Sequence, residues 1–154
     1  MKHWLFKSEP SCFSIDDLKR VKTEHWDGVR NYQARNFLRD ECKKGDLVIF
    51  YHSSCDVPAA VGVATVTKPG YPDHTAFDPK SEHPDLKSDP DNPRWFMVDV
   101  TFKEKFNRVV SLAEMKTVPE LADMPLLRKG NRLSLFPISA DEFSLICRIG
   151  AEKS

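Results

Sequence analysis

Apolar positions along the chain fall into short runs that switch between strand and helix periodicity. His3-Trp4-Leu5-Phe6-Lys7 predicts a strand from its aromatic and aliphatic density, ended by Pro10. Ser14-Ile15-Asp16-Asp17 sets a hydroxyl three residues before a carboxylate, a helix-capping pattern, and Ile15 and Leu18 give that short helix its apolar side. Trp26-Asp27-Gly28 interrupts with a turn. Ala34, Phe37 and Leu38, at i, i+3 and i+4, then predict a helix over 31–41 with Arg35 and Arg39 on another face. After the Gly45-Asp46 turn, Leu47–His52 and Ala59–Thr67 read as strands. In the second, Val61 and Val63 are expected on one side and Ala60, Gly62, Ala64 and Val66 on the other, both covered.

Six prolines punctuate residues 69–93, which are polar and acidic and predict no regular element. Phe96, Val98, Val100 and Phe102 alternate with Met97, Asp99, Thr101 and Lys103, the clearest strand in the chain. Ser111-Leu112-Ala113-Glu114 and Ser139-Ala140-Asp141-Glu142 repeat the capping pattern. Between them Leu133–Phe136 is a short strand closed by Pro137, and Phe143 and Ile146 bury the last helix. The resulting order, β α α β β β α β α, has more strands than one βαβ unit needs and no regular alternation. It predicts a mixed α/β (α+β) fold with a small, strongly bent or barrel-like sheet and peripheral helices.

At 154 residues the chain fits one domain. No apolar run reaches membrane-spanning length, and Met1-Lys2-His3-Trp4 lacks a secretory apolar region, so an intracellular setting is expected. With 23 basic and 23 acidic residues, bulk charge does not suit a protein that coats nucleic acid. The distribution is uneven, however. Residues 19–44 hold eight basic and four acidic side chains, residues 71–92 two and six, and residues 125–137 have Arg128, Lys129 and Arg132 with no acid. Cys12, Cys42, Cys55 and Cys147 include no short pair, and the five histidines are scattered, so neither a metal nor disulfide staples are expected.

Polar residues at strand tips mark candidate sites: Lys7-Ser8-Glu9, Tyr51-His52-Ser53 and Arg128 to Ser134. Trp26, followed by Arg30-Asn31-Tyr32-Gln33, combines an indole with groups able to read base edges; it equally suits a core anchor. Lys7 and Glu9 are two apart on a strand, and an ion pair between them is expected rather than catalysis. No nucleophile elbow, metal motif or phosphate-cradling glycine loop occurs.

Taken together, Trp4-Leu5-Phe6-Lys7-Ser8-Glu9-Pro10, the run from Trp26 to Asn36, Phe50-Tyr51-His52-Ser53, Tyr71-Pro72-Asp73, Thr75-Ala76-Phe77-Asp78-Pro79, Pro93-Arg94-Trp95, Leu126-Leu127-Arg128 and Arg132-Leu133-Ser134 closely resemble the EVE-domain family, in the family's order and over nearly the whole chain. The resemblance implies a PUA-like bent barrel, similar to YTH and ASCH domains, as a single domain over residues 1–150 with a tail at 151–154. It also implies a non-catalytic module that binds a modified base, a modified cytosine above all, in DNA or RNA. The implied cavity wall is Lys7, Ser8, Trp26, Asn31, Tyr51, His52, Ser53 and Tyr71. Arg128, Arg132 and Ser134 form the implied basic rim. Separately from the resemblance, the clustering of basic residues against zero net charge leads to the expectation that Arg30, Arg35, Arg128 and Arg132 flank the cavity and hold phosphates. No cofactor is expected, and the implied state is a monomer, cytoplasmic in a bacterium and nuclear in a eukaryote. A small hydrolase acting on a modified nucleoside, and an adaptor using the acidic proline-rich loop, remain as alternatives.

Overall fold

The computed structural model describes residues 1–81, 84–85, 87, 93–128 and 133–153. Six strands form one mixed sheet: β1 (His3–Ser8), β2 (Thr23–His25), β3 (Leu47–His52), β4 (Ala59–Pro72), β5 (Phe96–Ser111) and β6 (Leu135–Ile138). Their order across the sheet is β2-β5-β4-β3-β1-β6. Only β1 and β3 run parallel, with Phe6 beside Phe50 and Ser8 beside His52. Four helices, α1 (Ile15–Val21), α2 (Tyr32–Asn36), α3 (Leu112–Met115) and α4 (Ala140–Gly150), lie against it.

The sheet has a core on each face. On one, Trp4, Phe6, Val48, Phe50, Ala64, Val66, Val98 and Val100 pack under Ile15 and Leu18 of α1 and Ala34 and Leu38 at α2. On the other, Leu5, Ile49, Tyr51, Ala60, Val63 and Phe136 pack under Met115 and under Phe143, Ile146 and Ile149 of α4. All three predicted serine caps are present: Ser14, Ser111 and Ser139 each accept the backbone N–H three residues on. In the Gly45-Asp46 turn the buried Asp46 accepts from the Trp4 indole at 3.0 Å and from the Lys43 N–H at 2.9 Å.

Several expectations are corrected. Val61 and Val63 lie in different cores, because register shifts near Gly62 reverse the alternation of β4. A Cβ at Gly62 would stand 2.5 Å from the Glu104 carbonyl, so only glycine fits there. Strand β4 continues through Pro69 and Pro72. Its β3 partner ends at Thr65, and beyond that point β4 pairs with β5 alone, so a missing N–H on the open side costs no ladder bond. Pro137 is likewise inside β6, an edge strand. The 31–41 helix is α-helical only over Tyr32–Asn36 and becomes a π turn over Phe37–Glu41, closed by the Cys42 N–H on the Phe37 carbonyl at 2.9 Å.

His52 holds α1 to the sheet: its Nε2 accepts from the Ile15 N–H at 3.1 Å. Burial lowers its pKa from 6.5, so the ring is neutral in the fold and a protonated ring loses this acceptor. The stabilisation is complete above pH 6.5. It falls as pH drops from 6.5 toward the lower folded value, where the unfolded chain binds a proton and the folded one does not. Denaturant unfolding across that range will show a decline in stability that His52→Ala lacks; equal pH slopes in the two proteins contradict this.

Candidate functional site

One end of the sheet opens into a cleft of about 680 Å³, within the roughly 300–1,000 Å³ usual for small-molecule sites. The C-terminal end of β1 supplies Lys7, Ser8 and Glu9, the turn into α1 supplies Cys12 and Phe13, the segment from Glu24 to Asn31 forms the longest wall, and Ser134 closes the side toward β6. The Lys7 N–H donates to the Ser134 carbonyl at 2.8 Å, and the Ser8 hydroxyl donates to the Phe13 carbonyl at 2.5 Å. These bonds join three separate stretches of chain into one rim.

Trp26 has two roles at once. Its ring meets Phe6 at 5.3 Å and, edge to face, Phe50 at 5.6 Å, so one side rests on the core. It also lines the cleft, and its indole N–H has no hydrogen-bond partner among the described residues. The wall it belongs to is fixed from behind. The Trp26 N–H donates to the Val98 carbonyl at 2.7 Å. Gly28 turns the chain at φ 76°, where a side chain is strained.

The clamp is Asp73, whose side chain is fully buried. Its Oδ2 accepts from the Gly28 N–H at 2.9 Å and from Arg30 Nη1 at 3.0 Å, while Oδ1 accepts from the Thr75 N–H and hydroxyl. Burial pushes its pKa up, but the bonds from Thr75, Gly28 and Arg30 outweigh burial and hold the carboxyl below 3.8.

The structure brings Lys7, Ser8, Trp26, Arg30, Asn31 and Ser134 together at this cleft. Asn31 caps α2 through Oδ1, which accepts the Ala34 N–H at 3.0 Å, leaving its amide N–H₂ for a ligand. Lys7 forms no ion pair with Glu9, contrary to expectation: the chain turns at Glu9, and Lys7 Nζ sits 5.8 Å over the Phe136 ring. Burial lowers the Lys7 pKa.

Tyr51, His52, Ser53 and Tyr71 are not in the cleft wall. Tyr51 is buried in the opposite core, where desolvation pushes its phenol up to about 12. His52 is committed to α1, and the Ser53 N–H donates to the Ser8 carbonyl at 3.0 Å. Tyr71, with Lys68 Nζ 3.9 Å over its ring, donates its hydroxyl to Asp99, and its pKa is raised by burial first and by that bond second. Arg35 and the exposed Arg128 also lie off the wall, and Arg132 lies outside the described residues.

Of the three carboxylates of the wall, Glu9 belongs to a strand tip already marked as a candidate, whereas Glu24 and Asp27 carry no signal in the hydrophobic pattern and were not anticipated. Glu24 Oε1 and Asp27 Oδ2 flank His25 at 3.2 and 3.8 Å. The wall is therefore mixed in charge rather than basic.

Comparison with known proteins agrees with this architecture. The fold is similar to that of an ASCH protein from Zymomonas mobilis, with a TM-score of 0.56 at 11% identity over 97% of this chain and 99% of that one, which defines a PUA-like fold. The EVE domain model matches residues 2–149, and the chain belongs to the EVE-domain family. Thymocyte nuclear protein 1 of Gallus gallus is 43% identical over 98% of this chain and 69% of its own length. The crystal structure of human THYN1 protein in complex with 5-methylcytosine-containing DNA superimposes with a TM-score of 0.91 at 40% identity, covering 100% of both chains.

Proposed function

We propose that the cleft receives one modified cytosine, drawn out of a DNA strand, and that the protein is a reader of that base rather than an enzyme acting on it. The reading is carried by one observation: a single wall, residues 24–31, presents an aromatic ring, two carboxylates and an amide. The relative solved with 5-methylcytosine-containing DNA supports the choice of polymer and base.

The chemistry matches cytosine group by group. Drawing a base out of the stack costs a few kcal/mol. Stacking on Trp26 returns about 1–3 kcal/mol. The exocyclic amine is a donor, and Asp27 or Glu24 accepts from it. N3 and O2 are acceptors, and the Asn31 amide donates to them. Phe13 and Trp26 give a 5-substituent an apolar contact. In a eukaryote such a reader would work in the nucleus, in a bacterium in the cytoplasm.

Thymine tests the carboxylates, because it keeps the 5-methyl group and replaces the amine with a carbonyl. In fluorescence anisotropy, oligonucleotides differing at one position will bind with 5-methylcytosine preferred over thymine by roughly ten-fold, the scale of one well-made base contact. Asp27→Asn, which can donate as well as accept, will narrow that gap. Equal binding of the two bases by the wild-type protein contradicts the proposal.

A further inference from the structure

Beside the cleft, four side chains form a continuous stack. The Arg30 guanidinium, which lines the cleft, lies 5.5 Å over the Trp95 ring. Trp95 stacks on Tyr32 at 4.9 Å and 22°. The Arg35 guanidinium lies 5.0 Å over Tyr32. Trp95 is buried at 6% exposure and donates its indole N–H to Asp85, whereas Tyr32 is 53% exposed, a high value for a ring held in a stack. The column thus leads from the cleft wall to solvent and ends in a cation.

That cation is fixed in place. Arg35 Nε donates to Asn36 Oδ1 at 2.8 Å and Nη1 to the Arg94 carbonyl at 2.6 Å. Its Nη2 donors have no partner among the described residues. A guanidinium stacked on an aromatic ring and tied at two nitrogens has already lost most of its rotamer freedom, so its remaining donors bind an anion at little further entropic cost. A phosphodiester suits such a planar fork.

We propose that Arg35, positioned by Tyr32 and Trp95, is a phosphate subsite for the nucleotide next to the one in the cleft. The proposal rests on the reading of the cleft as a base site and adds the path by which the strand leaves it. Sequence-independent grip would then come from a preorganised arginine at the mouth, not from net charge, which is zero.

Binding of an oligonucleotide with one 5-methylcytosine, measured against salt concentration, tests it. Arg35→Gln is expected to weaken binding at least about ten-fold at low salt. It should also reduce the slope of log affinity against log salt by about one, equally for modified and unmodified strands. Arg35→Lys keeps the charge and the slope. Tyr32→Ala weakens binding as Arg35→Gln does, while Tyr32→Phe, which keeps the stack, binds as wild type. Lys116→Gln, beside α3, leaves the slope unchanged. An unaltered slope in Arg35→Gln overturns the proposal. So does an equal loss of affinity for free 5-methyl-2′-deoxycytidine, which has no phosphate, since Arg35 would then be supporting the cleft. If instead wild type does not distinguish the modified strand but Arg35→Gln still flattens the slope, the base reading fails and the phosphate subsite stands.

Discussion

Replacing Asp73 with alanine is expected to cost about 3 kcal/mol of stability, the scale of removing one partner from a buried ion pair. This is the low end of the roughly 3–5 kcal/mol for breaking a buried pair, because Arg30 keeps 25% of its side-chain surface while Asp73 has none. The loss leaves the Gly28 N–H, the Thr75 N–H and the Arg30 Nη1 without their common acceptor. Gly28 sits at positive φ in the cleft wall, so the wall should loosen with the fold, and oligonucleotide affinity should fall in the same variant. Asp73→Asn keeps the volume but loses the charge. The pH dependence follows from the depressed carboxyl: its contribution is complete above pH 3.8 and is lost as pH falls through the lower folded value. Denaturant melts of wild type and Asp73→Asn over that acid range should converge as pH falls. Parallel curves would show that folding does not depress the Asp73 carboxyl, and would contradict the clamp.

Trp26→Ala should separate into two measurable losses. With one side on Phe6 and Phe50 and another at the cleft, the ring is not a fully buried core residue. Its removal should cost about 2 kcal/mol of stability, below the roughly 3–5 kcal/mol of truncating a buried tryptophan. Affinity for a 5-methylcytosine oligonucleotide should fall by about 1–3 kcal/mol in protein kept fully folded at low temperature. Lost stability with intact affinity would assign Trp26 to the core alone.

These residues were not equally legible in the sequence. Strong local signals survive folding: the three serine caps, the alternation of Phe96–Phe102 and the apolar run of β3 all appear where periodicity and capping place them. Strand β2 could not be read, because Thr23-Glu24-His25 has no apolar alternation and exists through pairing with β5. The site divides in the same way. Trp26 and Asn31 stand beside a glycine turn and a helix cap, signals visible in one stretch of chain. Tyr51 and His52 share a polar strand tip, but which one faces a cleft depends on the register of β3 against β1, and that register sends Tyr51 to the opposite core. Asp73 lies 45 residues from the Gly28 it holds, in a segment whose prolines read as irregular. No local pattern reports that contact.

In the proposed complex the base stacks on Trp26 with its 5-methyl group in contact with the indole inside the cleft. Binding isotherms of two oligonucleotides that differ by one cytosine 5-methyl group, taken with wild type and with Trp26→Ala, test this contact most directly. Burying one methyl group is worth about 0.8 kcal/mol, close to four-fold in affinity. Wild type is expected to bind the methylated strand about four-fold more tightly, and Trp26→Ala to lose most of that preference, keeping only what Phe13 supplies. A methyl preference of the same size in both proteins would place the base elsewhere and contradict the account.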